Sequence, residues 1–378
     1  MSNLKESRLL TIMNLPQDLF GNPTITPTTE GIKYTGSKLK MLPFIVDMVS
    51  PLNIHTALDA FSGTTRVAQA FAQMGYDTTA NDISVWSEVF ATCYLLSKNP
   101  DSFYQPMLDE LNALEGYRGW FSENYGGETE AGKHPFQLKN TMRLDAIRDK
   151  IEEYHLPWED KCVLLTSLIF AMDAVDNTLG HYAAYLSGWS QRSHNDIHLK
   201  LPKRIPLHTN NKVWRKDVFE AVQTYHDLVY LDPPYGSNNE KMPPSRVRYA
   251  AYYHLWKTII MNDRPKLFGK ANRREDSRDT VSPSIFEEFK KTDKGYFIAM
   301  QAIKKLIEQT NAHYILLSYS SGGRATKEEL NDILHANGNV VIAREINYKK
   351  NVMSNMRWTN EWINSDGKYM EYLFLLEK

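Results

Sequence analysis

The tetrapeptide Asp232-Pro233-Pro234-Tyr235 constrains this chain more than any other segment. It follows the apolar run Leu228-Val229-Tyr230-Leu231, which reads as a buried strand ending at a turn that two prolines stiffen. A carboxylate, a tight bend and an aromatic ring therefore sit together at the carboxyl end of a strand. In open α/β sheets, ligands bind at such strand ends. Average residue usage would produce these four residues by chance in a chain of this length on the order of once in a thousand. The competing reading is a surface turn after an edge strand.

A second half of such a site lies upstream. Thr56-Ala57-Leu58-Asp59-Ala60-Phe61 is another short apolar run, and Ser62-Gly63-Thr64-Thr65 turns the chain. Val67, Ala68, Ala70, Phe71 and Met74 then recur at helical spacing, with Gly75 placed as a C-cap. Strand, small-residue turn and helix make a nucleotide-binding βα unit, in which Gly63 lets the backbone approach a ligand. A second strand, about Asp77 to Ala80, ends in Asn81-Asp82. An acid about twenty positions past the turn can accept hydrogen bonds from ribose hydroxyls. Thr64-Thr65 stand where a dinucleotide fingerprint has later glycines, which favours a ligand without phosphates. S-adenosylmethionine, with a ribose and an adenine but no phosphate, is such a ligand. An ordinary βαβ core unit remains the alternative.

Three segments in order, Tyr34-Thr35-Gly36-Ser37-Lys38, Asp59-Ala60-Phe61-Ser62-Gly63 and Asp232-Pro233-Pro234-Tyr235, resemble the Dam-like adenine-N6 DNA methyltransferases. The resemblance runs from about Lys33 to the C-terminus. It implies that Tyr34, Gly36 and Lys38 lie beside the methionine part of S-adenosyl-L-methionine, with Lys38 also able to reach a DNA phosphate. It implies further that Asp59, Phe61 and Gly63 hold the amino-acid end, and that Asp82 holds the ribose. Asp217 is placed to meet the cofactor's adenine amino group, or to cap a helix leading into Phe219, and both can hold. One departure is Thr65, where the family often has a further glycine.

Methyl transfer to an exocyclic amine needs an in-line approach, a free nitrogen lone pair and a place for developing positive charge. It needs no metal and no covalent enzyme intermediate. Asp232 and the Pro233 carbonyl can accept the amine N–H groups, Pro234 fixes the turn, and Tyr235 offers a ring for stacking. A base inside a duplex must be flipped out to reach such a pocket. The expected activity is a site-specific adenine-N6 methyltransferase acting on double-stranded DNA, the modification enzyme of a restriction system whose endonuclease acts separately. Cytosine-N4 methylation is the nearest rival, and a non-catalytic nucleic-acid-binding module a further one. A nicotinamide-dependent oxidoreductase would also use Asp82, but the Gly63 turn argues against phosphates.

Net charge is −1, so the whole chain does not announce a polyanionic partner. Two local stretches do. Ile197 to Lys216 carries Lys200, Lys203, Arg204, Lys212, Arg215 and Lys216 with no acid, and Arg264 to Arg278 is also basic. From them Lys200, Lys203, Arg204, Lys270, Arg273 and Arg274 are candidate DNA contacts, against the reading that each stretch is a solvated face. Two cysteines in unlike contexts, Cys93 and Cys162, suggest neither a disulfide framework nor a zinc site, and a reducing cytoplasm. No apolar stretch has the length of a membrane span, no signal-peptide pattern opens the chain, and a monomer is expected.

The expected fold is a Rossmann-like α/β methyltransferase sheet, mostly parallel with an antiparallel final strand. Residues 1–86 hold a lead-in and the cofactor half, 87–210 a mainly helical inserted target-recognition subdomain, and 211–378 the catalytic half with a DNA-contacting insert near 236–292. Later strands are expected at Tyr314 to Tyr319, Val340 to Ile346 and Tyr372 to Leu376, with helices at Tyr296 to Gln309 and Lys327 to Ala336. An aromatic cluster, Tyr252, Tyr253, His254 and Trp256, either closes over a flipped base or packs in the core.

Overall fold

The structure, a computed structural model, describes residues 25–129, 134–237, 247–347 and 370–378. Most of the expected lead-in and residues 238–246 of the expected DNA-contacting insert lie outside them. Seven strands form one sheet: β1 (Thr56–Asp59), β2 (Asp77–Asn81), β3 (Lys212–Trp214), β4 (His226–Leu231), β5 (Ala312–Ser320), β6 (Asn339–Asn347) and β7 (Met370–Glu377). Their spatial order is β6-β7-β5-β4-β1-β2-β3. All neighbours run parallel except β7, which is antiparallel to both β5 and β6.

The strand periodicity explains the layering. Leu58, Val229, Leu231, Ile315 and Leu317 point to one face, where they meet α11 (Ile298–Gln309) and α12 (Lys327–His335). Ala57, Leu228, Tyr230, Leu316, Leu373 and Leu375 point to the other and meet α1 (Leu42–Val49) and α2 (Arg66–Gln73). With both faces covered, the strands are nearly continuous apolar runs. The later strands and helices fall where the sequence pattern puts them, within two residues at each end. The edge strand β3 was not expected. It is only three residues long, and its Lys212 and Trp214 give no apolar run.

Between β2 and β3 the chain is helical: α3 (Val85–Ala91), α4 (Asp101–Ala113), α5 (Trp120–Tyr125), α6 (Leu138–Glu153) and α7 (Trp158–Ala174). These helices share a core with α10 (His254–Met261), which follows α9 (Tyr249–Tyr252) in the sequence after the proline turn. Arg148 ties the two regions together. Its buried guanidinium donates to the Ile259 carbonyl at 2.6 Å and the Ile260 carbonyl at 2.9 Å, satisfying acceptors at the end of α10. The helical region is thus built onto the segment beyond Tyr235, and that places its walls around the strand ends.

Candidate active site

Sheet register sets the site. Asp59 pairs with Ala80 on β2 and with Tyr230 on β4, so Asp59, Asp82 and Asp232 leave the sheet at the same edge. The strand order reverses between β1 and β4, the switch point where open sheets bind ligands. A cleft of ≈ 990 Å³ opens there. Its wall includes Tyr34, Gly36, Lys38, Asp59, Phe61, Gly63, Asp82, Asp217, Asp232 and Pro234. Pro233 and Tyr235 are not part of it.

On the β1–β2 side the turn is held by its own acid. Gly63 has φ +49°, and a Cβ there would lie 3.2 Å from the Tyr34 ring. The Gly63 N–H donates to Asp82 Oδ2 at 3.0 Å, while Asp82 Oδ1 accepts the Ser84 N–H at 2.9 Å and the Ser84 hydroxyl at 2.6 Å. The N–H that would cradle a phosphate is therefore already given to a carboxylate. Asp59 Oδ2 accepts the Ala68 N–H at 3.0 Å, but its buried Oδ1 lacks a well-aligned donor. Burial first, and then the Asp232 charge, push the Asp59 pKa well up; burial also raises Asp82. Asp217 does cap α8 (Val218–Ala221), taking the Phe219 N–H at 2.9 Å, and lines the cleft as well. Phe61 meets Phe286 edge-on at 5.5 Å, and Phe286 stacks on Phe219 at 5.7 Å.

On the β4 side Asp232 has a partner on each oxygen. Lys38 Nζ lies 2.8 Å from Oδ2, and the Tyr235 hydroxyl donates to Oδ1 at 2.5 Å. Lys38 is nearly buried, 5.1 Å above the Tyr235 ring centroid, and also donates to the Gly36 carbonyl at 3.3 Å. The Tyr235 ring, expected to stack on a base, packs 4.8 Å from Tyr319 instead. Burial first, then the Asp232 charge, hold its pKa well above that of a free tyrosine, so the hydroxyl stays a donor. The same hydroxyl lies 3.3 Å from Ser318 Oγ and 3.4 Å from Glu371 Oε2. Glu371 was not foreseen, because only the pairing of β7 with β5 brings it here.

None of the expected aromatic cluster lines the cleft: Tyr252, half-buried, stacks on His181 at 4.3 Å. Tyr253, His254 and Trp256 are fully buried in the core, and Tyr253 and Trp256 back Tyr34 in a stack with centroids 4.6 and 6.2 Å away. Tyr249, one turn earlier, stacks on Tyr34 at 5.5 Å and reaches the cleft wall.

Among the basic residues, two have internal roles rather than the phosphate contacts expected of them. Arg204 lies 4.5 Å over the Tyr104 ring, pairs with Asp101 and donates to Ser97 Oγ and the Asn99 carbonyl. Arg274 is buried and grips Asp263 and Asp276, at 2.6 and 3.0 Å. Lys200, Lys203 and Lys270 are exposed, and Arg273 is half-buried against Phe268 at 4.6 Å. The cleft wall itself carries Arg215, Lys216, Arg248 and Lys257, paired with Glu88, Glu220, Asp279 and Asp276. The first two lay in the stretch already marked as basic. The other two carry no local signal. Among the described residues there is no group of ligating side chains that could hold a metal, and no helix long and apolar enough to cross a membrane.

Sheet order, antiparallel β7 and two acidic strand ends on one cleft define a Rossmann-like methyltransferase fold. Residues 34–320 match the model of the D12 class N6 adenine-specific DNA methyltransferases, and the chain belongs to that family. It is 30% identical over 356 residues, 87% of its length, to modification methylase StsI of Streptococcus sanguinis, where the match covers 50% of that protein. Identity to type II methyltransferase M.FokI of Planomicrobium okeanokoites is 25%, over 92% of this chain and 53% of the other. For type II methyltransferase M2.HphI of Haemophilus parahaemolyticus it is 24%, over 93% and 98%. The chain thus spans about half the length of the first two.

Proposed function

We propose that this chain methylates the N6 amino group of adenine at specific sites in double-stranded DNA, with S-adenosyl-L-methionine as donor. One observation carries the reading: the Gly63–Asp82 turn and the Asp232 carboxylate open on a single cleft. The residues fit that cofactor. Asp82, on the cleft wall, suits ribose hydroxyls, and the Asp59 oxygen without a well-aligned donor suits an ammonium group. An acidic wall whose turn N–H is already engaged favours a cationic ligand over a pyrophosphate. When bound, the cofactor supplies an electrophilic methyl carbon on a sulfonium.

The chain's own groups do the rest. Asp232 accepts an amine N–H and favours a pyramidal nitrogen whose lone pair can attack. The same carboxylate stabilises the positive charge that grows as the bond forms. The Tyr235 hydroxyl fixes the Asp232 rotamer. Of the tyrosines on the cleft wall, Tyr34 and Tyr249 are the proposed rings against which an extruded base can lie. Lys200, Lys203, Lys270 and Arg273, together with the cleft-wall cations, are the proposed backbone contacts. Relatives named as a modification methylase and a type II methyltransferase support a role as the modification half of a restriction system, and a separate endonuclease is part of the proposal.

The test is Asp232→Ala. Transfer of labelled methyl groups to DNA should fall at least about 10²–10³-fold, while cofactor affinity stays within a few-fold of wild type. Near-normal turnover would remove Asp232 from this role, and base analysis of the product separates N6-methyladenine from N4-methylcytosine.

A further inference from the structure

Each Asp232 oxygen already has a partner, Lys38 on Oδ2 and Tyr235 on Oδ1, and Lys38 lines the cleft from which a target amine would come. An amine that takes one of these places displaces the partner that holds it. Tyr235 is anchored: its ring packs on Tyr319, its carbonyl accepts the Arg324 N–H at 2.9 Å, and its hydroxyl reaches Ser318. Lys38 sits on a flexible four-carbon stem and is the partner that can yield. An ammonium in a nearly buried site cannot simply be left without an acceptor, since an unpaired buried charge costs several kcal/mol. Glu371 Oε2 lies 3.4 Å from the same tyrosine hydroxyl, and the Lys38 charge already acts on it.

Resting on Asp232 as the amine acceptor, we propose that Glu371 is a positioning residue: it receives the Lys38 ammonium when the target amine takes its place on Asp232. The exchange keeps the charge of the pocket constant and delivers an anionic, uncovered Asp232 oxygen only when a base has entered. The receiving carboxyl must be ionised. In the structure burial pushes the Glu371 pKa up to about 7; Lys38 lowers it and Asp232 raises it. Among the described residues the titratable groups facing it are Lys38, Asp232, Tyr235 and Tyr230. The Lys327–Glu345 pair lies beside Tyr372, whose side chain alternates to the opposite face.

The expectation concerns half-saturation by DNA rather than the chemical step. One pH unit below its pKa, about a tenth of a carboxyl remains ionised. With cofactor saturating, the KM for a plasmid carrying sites found by modified-base sequencing should rise about tenfold from pH 8 to pH 6, with kcat changing less than about threefold. Glu371→Gln should hold KM at the high, acid-limit value across this range, and Glu371→Asp should restore the slope. Cofactor affinity in the Gln variant stays unchanged. A wild-type slope in Glu371→Gln, or flat profiles in both wild type and the Asp variant, overturns the exchange. Should Asp232→Ala keep its turnover in the same assay, the amine-acceptor reading fails instead, and the two failures are told apart.

Discussion

The two sides of the cleft solve the same problem differently. At the β1–β2 end Asp82 makes its hydrogen bonds to the adjoining turn, the Gly63 N–H and Ser84, and holds that turn in shape. At the β4 end the bonds to Asp232 come from Lys38, which lines the cleft, and from Tyr235, which does not. The first arrangement is a preformed cradle that a ligand adds to. The second is a set of side-chain contacts in which, on the proposed exchange, a ligand takes the place of Lys38. Under the proposed function, such a pocket would bind its small cofactor with little rearrangement and rearrange on arrival of the base, so that weakly matched bases would be rejected before chemistry.

The sharpest contrast is Asp82→Ala set against Asp232→Ala. Replacing Asp82 removes a charged acceptor that holds both the turn and the proposed ribose contact. Cofactor affinity, read by calorimetric titration, should fall by about 2–3 kcal/mol, roughly 30- to 150-fold. The Asp232 variant should bind the cofactor nearly normally and lose transfer. If both variants lose cofactor binding equally, the two sides are one coupled unit and the contrast collapses.

A smaller effect separates the rigid wall from the exchanging one by pH. His254 lies behind the Tyr34–Tyr253–Trp256 stack, its Nε2 at 3.0 Å from the Tyr182 carbonyl. Burial, the dominant cause, pushes its pKa down to about 3. The folded chain therefore keeps this imidazole neutral while the unfolded chain protonates it below about pH 6.5. Between those values the unfolded state binds the extra proton, so stability falls as pH falls. From pH 7 to pH 5 this one group should remove about 2 kcal/mol. Urea unfolding of wild type against His254→Gln measures it, the variant losing that much less over the same interval. An identical pH dependence in both would mean that the wall admits a charged imidazole and is not a packed core.

What the sequence disclosed follows the range of the interactions involved. Asp232 and Gly63 were legible because a strand, a turn and a chemistry-bearing residue lie within six or seven positions of one another, and local stiffness from proline or glycine marks the spot. The later strands were legible from apolar runs. Arg204 was misread because its charge is visible in sequence and its partners, Asp101 and the Tyr104 ring, are not: they lie on a helix a hundred residues away. Glu371 was invisible for the same reason, since only strand register sets Glu371 opposite Ser320 and beside Tyr235. The Tyr235 ring was expected to stack on a base, whereas backbone direction after the two prolines turns its hydroxyl toward Asp232.

Thr65 gives the smallest and most pointed test of the preformed side. It is fully buried with φ 66°, a left-handed conformation that a β-branched residue adopts at a cost of roughly 1–2 kcal/mol. Thr65→Gly would relieve that strain. It would also remove a buried methyl worth about 0.8 kcal/mol, and add about 0.5–1 kcal/mol of unfolded-chain entropy. The hydroxyl accepts from Gln69 Nε2 at 2.9 Å, and Gln69 in turn exchanges hydrogen bonds with the Glu30 backbone at 2.8 and 3.0 Å. These contributions nearly cancel, so the variant should unfold within about 1 kcal/mol of wild type and bind the cofactor within about threefold. A loss above about 2 kcal/mol would show that the threonine hydroxyl, through Gln69, pins the segment around Glu30 to the turn. The cradle would then owe its shape to that segment as well as to Asp82.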